Sequence, residues 1–288
     1  MQANLEAVAW ALSMALLLGS GLVWAAVARR LFRRQPLVAL EPRSGAPWSG
    51  FDLVVLAIAL VFGELAAREV VEGLSPEAVE GVSPEILVAL TIARIAWLGF
   101  AVVYLVIKRG ATLYELGFDA SRLAGDARLG GRIFLAAIVP VFAVQGFFVY
   151  VLQMPSEHPL LKLAHDEPRV PIMALATLLA VGVAPVFEEF VFRVVLQGWL
   201  ESQQARLRRL RGGGADERSG FAPLVIASIV FAMLHFGHGP DPIALFVFSL
   251  FLGYAYRQTH RIFPSLVIHA CLNGWTMFNL WVLFVAER

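Results

Sequence analysis

Apolar residues in this chain fall in blocks of about 17 to 25, broken by short polar or charged interruptions, and a block of that length crosses a bilayer as a helix. Eight such runs can be read, at about 7–28, 51–67, 86–107, 133–153, 171–200, 222–236, 242–256 and 262–285. The pattern predicts an all-α fold, a polytopic transmembrane helical bundle of about eight spans, because in lipid a helix satisfies its own backbone polar groups. Pro171 and Pro264 stand near the first turn of the fifth and eighth runs, where a missing N–H costs nothing. Gly212, Gly213 and Gly214 mark a loop after the fifth.

Composition agrees with this picture: 59% of the 288 residues are hydrophobic and 16% charged, against about 25% charged in soluble domains. That excludes a disordered chain and an ordinary soluble domain. The net charge of +1 hides an uneven distribution. The first connection carries Arg29, Arg30, Arg33, Arg34 and Arg43, and the third carries Lys108, Arg109, Arg122, Arg128 and Arg132. Arg206, Arg208, Arg209, Arg211 and Arg218 follow in the fifth, then Arg257 and Arg261 in the seventh. The second connection instead holds Glu69, Glu72, Glu77, Glu80 and Glu85 beside Arg68.

Positive loops stay in the cytoplasm, so the alternation predicts both termini outside it, as in a multi-pass protein of a bacterial inner membrane. The first run has no basic residues ahead of it and reads as a retained helix rather than a secretory signal. Such a charge balance offers no nucleic-acid surface. The single cysteine, Cys271, excludes an intramolecular disulfide and a Cys-rich metal site. The two halves show no internal repeat of the kind many secondary transporters carry.

An ionisable side chain at the bilayer centre costs about 2.5 kcal/mol or more, which makes each one a functional candidate. Here they are Glu64, Arg94, Glu188, Glu189, Arg193, His235 and His269. Glu64 and Arg94, on the second and third spans, are expected to snorkel, to face a neighbour or to pair with each other. The others, with Asn273, gather in the last four spans. Glu189 and Arg193 are i,i+4 and so share a helix face, where an ion pair is natural. Glu188 is rotated about 100° away and has no partner on its own helix, which suits it to act as a general base. Phe231 and His235, and His269 and Asn273, are again one turn apart. Together they suggest hydrolysis of an amide: Glu188 would deprotonate a water held also by His235, while His269 and Asn273 would donate to the oxyanion.

Three motifs occur in order: EExxxR at Glu188, Glu189 and Arg193; FxxxH at Phe231 and His235; HxxxN at His269 and Asn273. In these the chain resembles the CPBP intramembrane endopeptidases, named for CAAX proteases and bacteriocin-processing enzymes and also called Abi proteins. The motifs cover about 171–285, inside a membrane core of residues 133–288; residues 1–132 supply N-terminal helices and basic loops, and the first four spans match only in general architecture. The resemblance implies an eight-helix membrane core and cleavage of a peptide bond in a membrane-associated peptide or protein tail. It further implies catalytic roles for Glu188, His235, His269 and Asn273, with Glu189, Arg193 and Phe231 in support. No cofactor is required by the sequence: the HExxH helix of many zinc proteases is absent, and zinc would need Glu188, His235 and His269 from three helices. The other readings are a proton-coupled carrier, in which the same side chains relay protons, and a non-catalytic immunity- or chaperone-type membrane protein.

Overall fold

Hydrophobic runs become helices wherever the sequence leaves their backbone uninterrupted, and prolines and glycines set most of the breaks. The computed structural model describes residues 2–42, 45–75, 83–157, 169–212 and 220–286. Arg43, Glu77, Glu80, Gly213, Gly214 and Arg218 lie outside the described residues. Among those described there is no strand, and eight helices follow one another: α1 Gln2–Phe32, α2 Gly50–Leu74, α3 Pro84–Arg109, α4 Ala120–Val151, α5 Val170–Leu210, α6 Ala222–Met233, α7 Asp241–Thr259 and α8 Ile262–Ala286. Six of them, α1 to α5 and α8, are long and apolar enough to cross a membrane. The protein is an integral membrane, all-helical bundle.

Several expected spans are redrawn: the second runs on to Leu74 rather than 67, the fourth begins at Ala120 rather than 133, and the fifth, sixth and seventh change as follows. The fifth run, read as 171–200, continues to Leu210 and reaches 41 residues, or about 61 Å at 1.5 Å per residue. That exceeds a bilayer core, and the excess is the polar stretch carrying Glu201, Arg206, Arg208 and Arg209. The sixth run stops at Met233 rather than 236, giving 12 residues, about 18 Å, short of the roughly 30 Å hydrocarbon layer. Gly237 (φ +100°) and Gly239 (φ +65°), followed by Pro240, explain the stop. The seventh extends to both sides of 242–256, ending in Asp241 and in Arg257, Gln258 and Thr259, so it is long but polar at its ends.

Helix α7 is the innermost element, with Phe248, Leu252, Ala255 and Tyr256 fully buried. It packs with α4 and α8 around Phe134, Ala137, Ile268 and Leu272. The outer surface is apolar, as lipid contact requires: Trp10, Leu18, Leu22 and Phe62 are about two-thirds or more exposed. Helices α4 and α8 meet at Gly130, where a Cβ would lie 2.7 Å from the Val267 Cβ and 2.8 Å from the Pro264 carbonyl oxygen. Gly130→Ala is therefore expected to cost about 1–3 kcal/mol through overpacking. A lowered thermal unfolding midpoint in detergent would register that cost, and an unchanged midpoint would refute the contact.

The first, third and seventh basic connections meet at one end of the bundle, beside the end of α5. Arg261 makes a two-pronged bond to Asp126, with Nε and Nη2 each 2.7 Å from a carboxylate oxygen, and also reaches Glu41. Arg122 joins the same Glu41 at 3.1 Å. The hydrogen bonds to Asp126 hold the Arg261 guanidinium above its ordinary value, so it is charged at any working pH. The Ala46 N–H donates to Ser202 Oγ at 2.6 Å, and the Glu41 N–H to the Gln258 carbonyl at 2.8 Å, which ties the first connection to α5 and α7. Glu64 and Arg94 pair at 2.7 Å, one of the arrangements their placement on adjacent spans left open.

Prolines also create cross-links between helices. Pro140 cannot supply the N–H that the Ala136 carbonyl would take one turn earlier, and Trp24 Nε1 of α1 donates to that carbonyl at 3.1 Å instead. The same device operates at the site itself.

Candidate active site

Helix α5 is wound in two wide, π-type stretches, Leu179–Val183 and Phe190–Gln197, on either side of the short α-helical piece Ala184–Glu189. Such widenings change which face the flanking residues present and often occur at functional sites. In the first stretch the Ala184 N–H bonds the Leu179 carbonyl, five residues back. The next carbonyl in that register, Ala180, falls opposite Pro185, which has no N–H. Asn273 Nδ2 of α8 donates to it at 2.8 Å, satisfying a carbonyl that would otherwise be left unmade in lipid.

Glu189 and Arg193 are both fully buried, and their Oε2 and Nε lie 3.1 Å apart. The pair sits inside a wider network: Arg193 Nη2 donates to Ser249 Oγ of α7 at 2.8 Å, and the guanidinium lies 5.5 Å from the Phe231 ring centre. On its other oxygen Glu189 meets His269 Nδ1 at 2.9 Å. A carboxylate held by arginine can only accept, so the proton of that bond sits on Nδ1 and Nε2 is turned elsewhere. It faces Glu188, whose Oε2 is 3.7 Å away, beyond hydrogen-bond length. The His269 ring is flanked by Phe248 at 5.3 Å and Phe231 at 6.2 Å, both edge-on.

Adjacent carboxylates thus differ in environment: Glu189 has no exposed surface, whereas the Glu188 side chain is 18% exposed. Among the described residues Glu188 has no hydrogen-bond or ion-pair partner on its own helix, and it faces the α8 imidazole instead.

His235 lies two residues past the end of α6 and not on its face, a correction to the helical spacing expected for Phe231 and His235. The two residues still meet. His235 Nδ1 bonds the Phe231 carbonyl at 2.8 Å, one of the carbonyls a helix end leaves free. A carbonyl only accepts, so Nδ1–H is the donor and a neutral His235 keeps its Nε2 lone pair for another partner. Its ring lies 4.9 Å from that of Phe231. Phe231, fully buried, is therefore the common wall between His235, His269 and Arg193.

Glu188, Glu189, Arg193 and His269 come into direct contact, His235 joins them across Phe231, and Asn273 is one turn along α8 from His269, bonded to the α5 backbone. Among the described residues no group of three His, Cys, Asp or Glu side chains is placed to hold a metal ion. The Glu188, His235 and His269 set does not converge into one. Ser249 and Phe248 escaped the sequence reading. Ser249 is the lone serine in an apolar stretch, a signal that was present; Phe248 is one of 21 phenylalanines and carries none.

No curated protein and no solved structure matches the chain. Residues 170–275 match one family model, the type II CAAX prenyl endopeptidase Rce1-like family, a stretch that runs from the start of α5 through α6 and α7 to just past Asn273. It holds each of the three motifs and every residue of the network just described. Over these residues, rather more than a third of the chain, it is similar to the Rce1-like type II CAAX prenyl endopeptidases.

Proposed function

We propose that this protein hydrolyses a peptide bond in a membrane-associated protein tail or peptide, with Glu188 as the general base. The observation that carries the reading is the single imidazole of His269 set between two unequal carboxylates, 2.9 Å from Glu189 and 3.7 Å from Glu188. Glu189, neutralised by Arg193, orients the ring, and Glu188 stays free to move a proton. A water bound to Glu188 and to His235 Nε2 loses a proton to Glu188 as its oxygen bonds the scissile carbonyl carbon. The charge that develops on the carbonyl oxygen is met by His269 and Asn273. Because His269 Nδ1 is engaged with Glu189, donation from Nε2 to the oxyanion is made by the doubly protonated ring. Glu188 then passes its proton to the leaving nitrogen as the C–N bond breaks.

The substrate class follows from the family, whose description names CAAX prenyl endopeptidases. The basic end of the bundle is assigned to the cytoplasm, with both termini on the opposite side of a bacterial inner membrane. The route as proposed draws on no metal, and the chelator arm of the test below decides that point.

New protein and peptide termini, compared by mass spectrometry in cells holding equal amounts of wild type and Glu188→Gln, test this reading. Termini present with wild type alone, unchanged by a chelator, are expected. Their loss on chelation would move the mechanism to a metal-bound water. Identical sets of termini would refute proteolysis and favour a carrier or a non-catalytic partner.

A further inference from the structure

The imidazole assigned to the water is held on a connection, not on a helix, and something must keep that connection still. Residues 234–240 join α6 to α7, and their outer side is lipid-facing, with Leu234 69% and Phe236 79% exposed. Four observations fix the inner side. Asp241, the first residue of α7, is 7% exposed. Its Oδ1 accepts from Gln145 Nε2 of α4 at 2.6 Å, and its Oδ2 from Ser156 Oγ, also at 2.6 Å. The Glu157 N–H donates to the His238 carbonyl at 3.4 Å. At Gly239, with φ +65°, a Cβ would lie 2.5 Å from the Pro155 carbonyl oxygen, so the two backbones touch where only glycine fits.

From these we infer that Asp241, with Gln145 and Ser156, is a positioning clamp for His235. The segment after α4 lies against the α6–α7 connection, and the Asp241 carboxylate joins it to both α4 and α7. His235 is thereby fixed at two ends, by its own bond to the Phe231 carbonyl on the α6 side and by the clamp on the α7 side. Gln145 and Ser156 lie outside residues 170–275, so the clamp gives the fourth helix a part in the site that the family match does not cover. The inference rests on the proposed role of His235 and deepens it. Asp241 touches none of the reacting atoms, and it acts by keeping the histidine where a water can bridge it to Glu188.

The test uses the full chain in lipid nanodiscs and two readouts, amide hydrogen exchange and steady-state cleavage of a peptide identified from the termini comparison. Ser156→Ala removes one donor from a partly exposed segment and leaves α7 whole; Asp241→Asn keeps the side-chain shape but loses an acceptor. Both variants are expected to exchange faster in 152–157 and 234–240 with α8 unchanged. Both are expected to lose about ten- to a hundredfold in kcat with KM unaltered, the cost of a misplaced catalytic group. Unchanged exchange of 234–240 in folded Ser156→Ala would overturn the clamp. So would a loosened connection with full turnover, or a His235→Ala enzyme that cleaves like wild type. If wild type itself cleaves nothing, the proposed function fails, and exchange still decides whether the clamp holds the connection.

Discussion

Glu188→Gln is expected to lower peptide-bond cleavage by about 10²- to 10⁴-fold, the usual contribution of a positioned general base, while leaving the protein folded and in the membrane at wild-type levels. The reason lies in what Glu188 does not do. It closes no ion pair with Arg193, whose partner is Glu189, and the His269 ring lies 3.7 Å from it, beyond hydrogen-bond length. Glutamine has the same shape and removes only the ability to take a proton, so a change in stability is not part of the expected result. Purified variants reconstituted in vesicles, with cleavage rate and thermal midpoint measured on the same preparation, check both halves. Cleavage within a few-fold of wild type would remove Glu188 from the mechanism, and a collapsed midpoint would instead make it structural.

Arg193→Ala should act the other way, chiefly on folding. Its guanidinium is fully buried and satisfies Glu189, Ser249 and the face of Phe231. Removing one partner of a buried pair leaves the other as an uncompensated charge, at a cost of about 3–5 kcal/mol. A lower yield and a thermal midpoint well below wild type are the expected outcome. Replacing both residues, Glu189→Leu with Arg193→Met, should recover much of that loss, because two well-packed apolar side chains carry no stranded charge. The double variant is nonetheless expected to remain inactive, since Glu189 also fixes the proton of His269 through the 2.9 Å bond to Nδ1. An active double variant would show that His269 needs no such anchor; a double variant no more stable than Arg193→Ala would show that the network is not governed by charge.

The site was legible in the sequence to the extent that its parts follow helical spacing. Glu189 and Arg193, four residues apart, form the pair that spacing makes natural, whereas the sequence left pairing as one of three arrangements for Glu64 and Arg94, and the structure chose it. His235 shows the limit. Its distance from Phe231 in sequence suggested a shared helix face, yet the helix ends at Met233 and the contact survives only because the imidazole caps the Phe231 carbonyl. The glycines and proline that end α6 were visible, but their effect on two polar residues depends on where α7 must begin.

Asn273 teaches the same lesson from the other side. Its amide is engaged by the Ala180 carbonyl because α5 widens before Pro185, and periodicity has no way to announce a five-residue register. Ser249 under Arg193, and Gln145 with Ser156 on Asp241, come from helices far apart in the chain; each is an ordinary polar residue until a neighbour gives it a partner.

What the sequence determined by itself is therefore what local physics dictates: runs of apolar residues too long for anything but membrane helices, loops sorted by charge, and ionisable groups too costly to bury without purpose. Only the tertiary structure decided what else the bound carboxylate holds, which nitrogen of each histidine is turned to the site, and that a connection outside any helix carries His235. The physical reason is that those choices are made by groups on other helices. A buried polar atom must be satisfied by whatever packing brings within about 3 Å, and packing between helices of one bundle is not encoded in the period of any one of them.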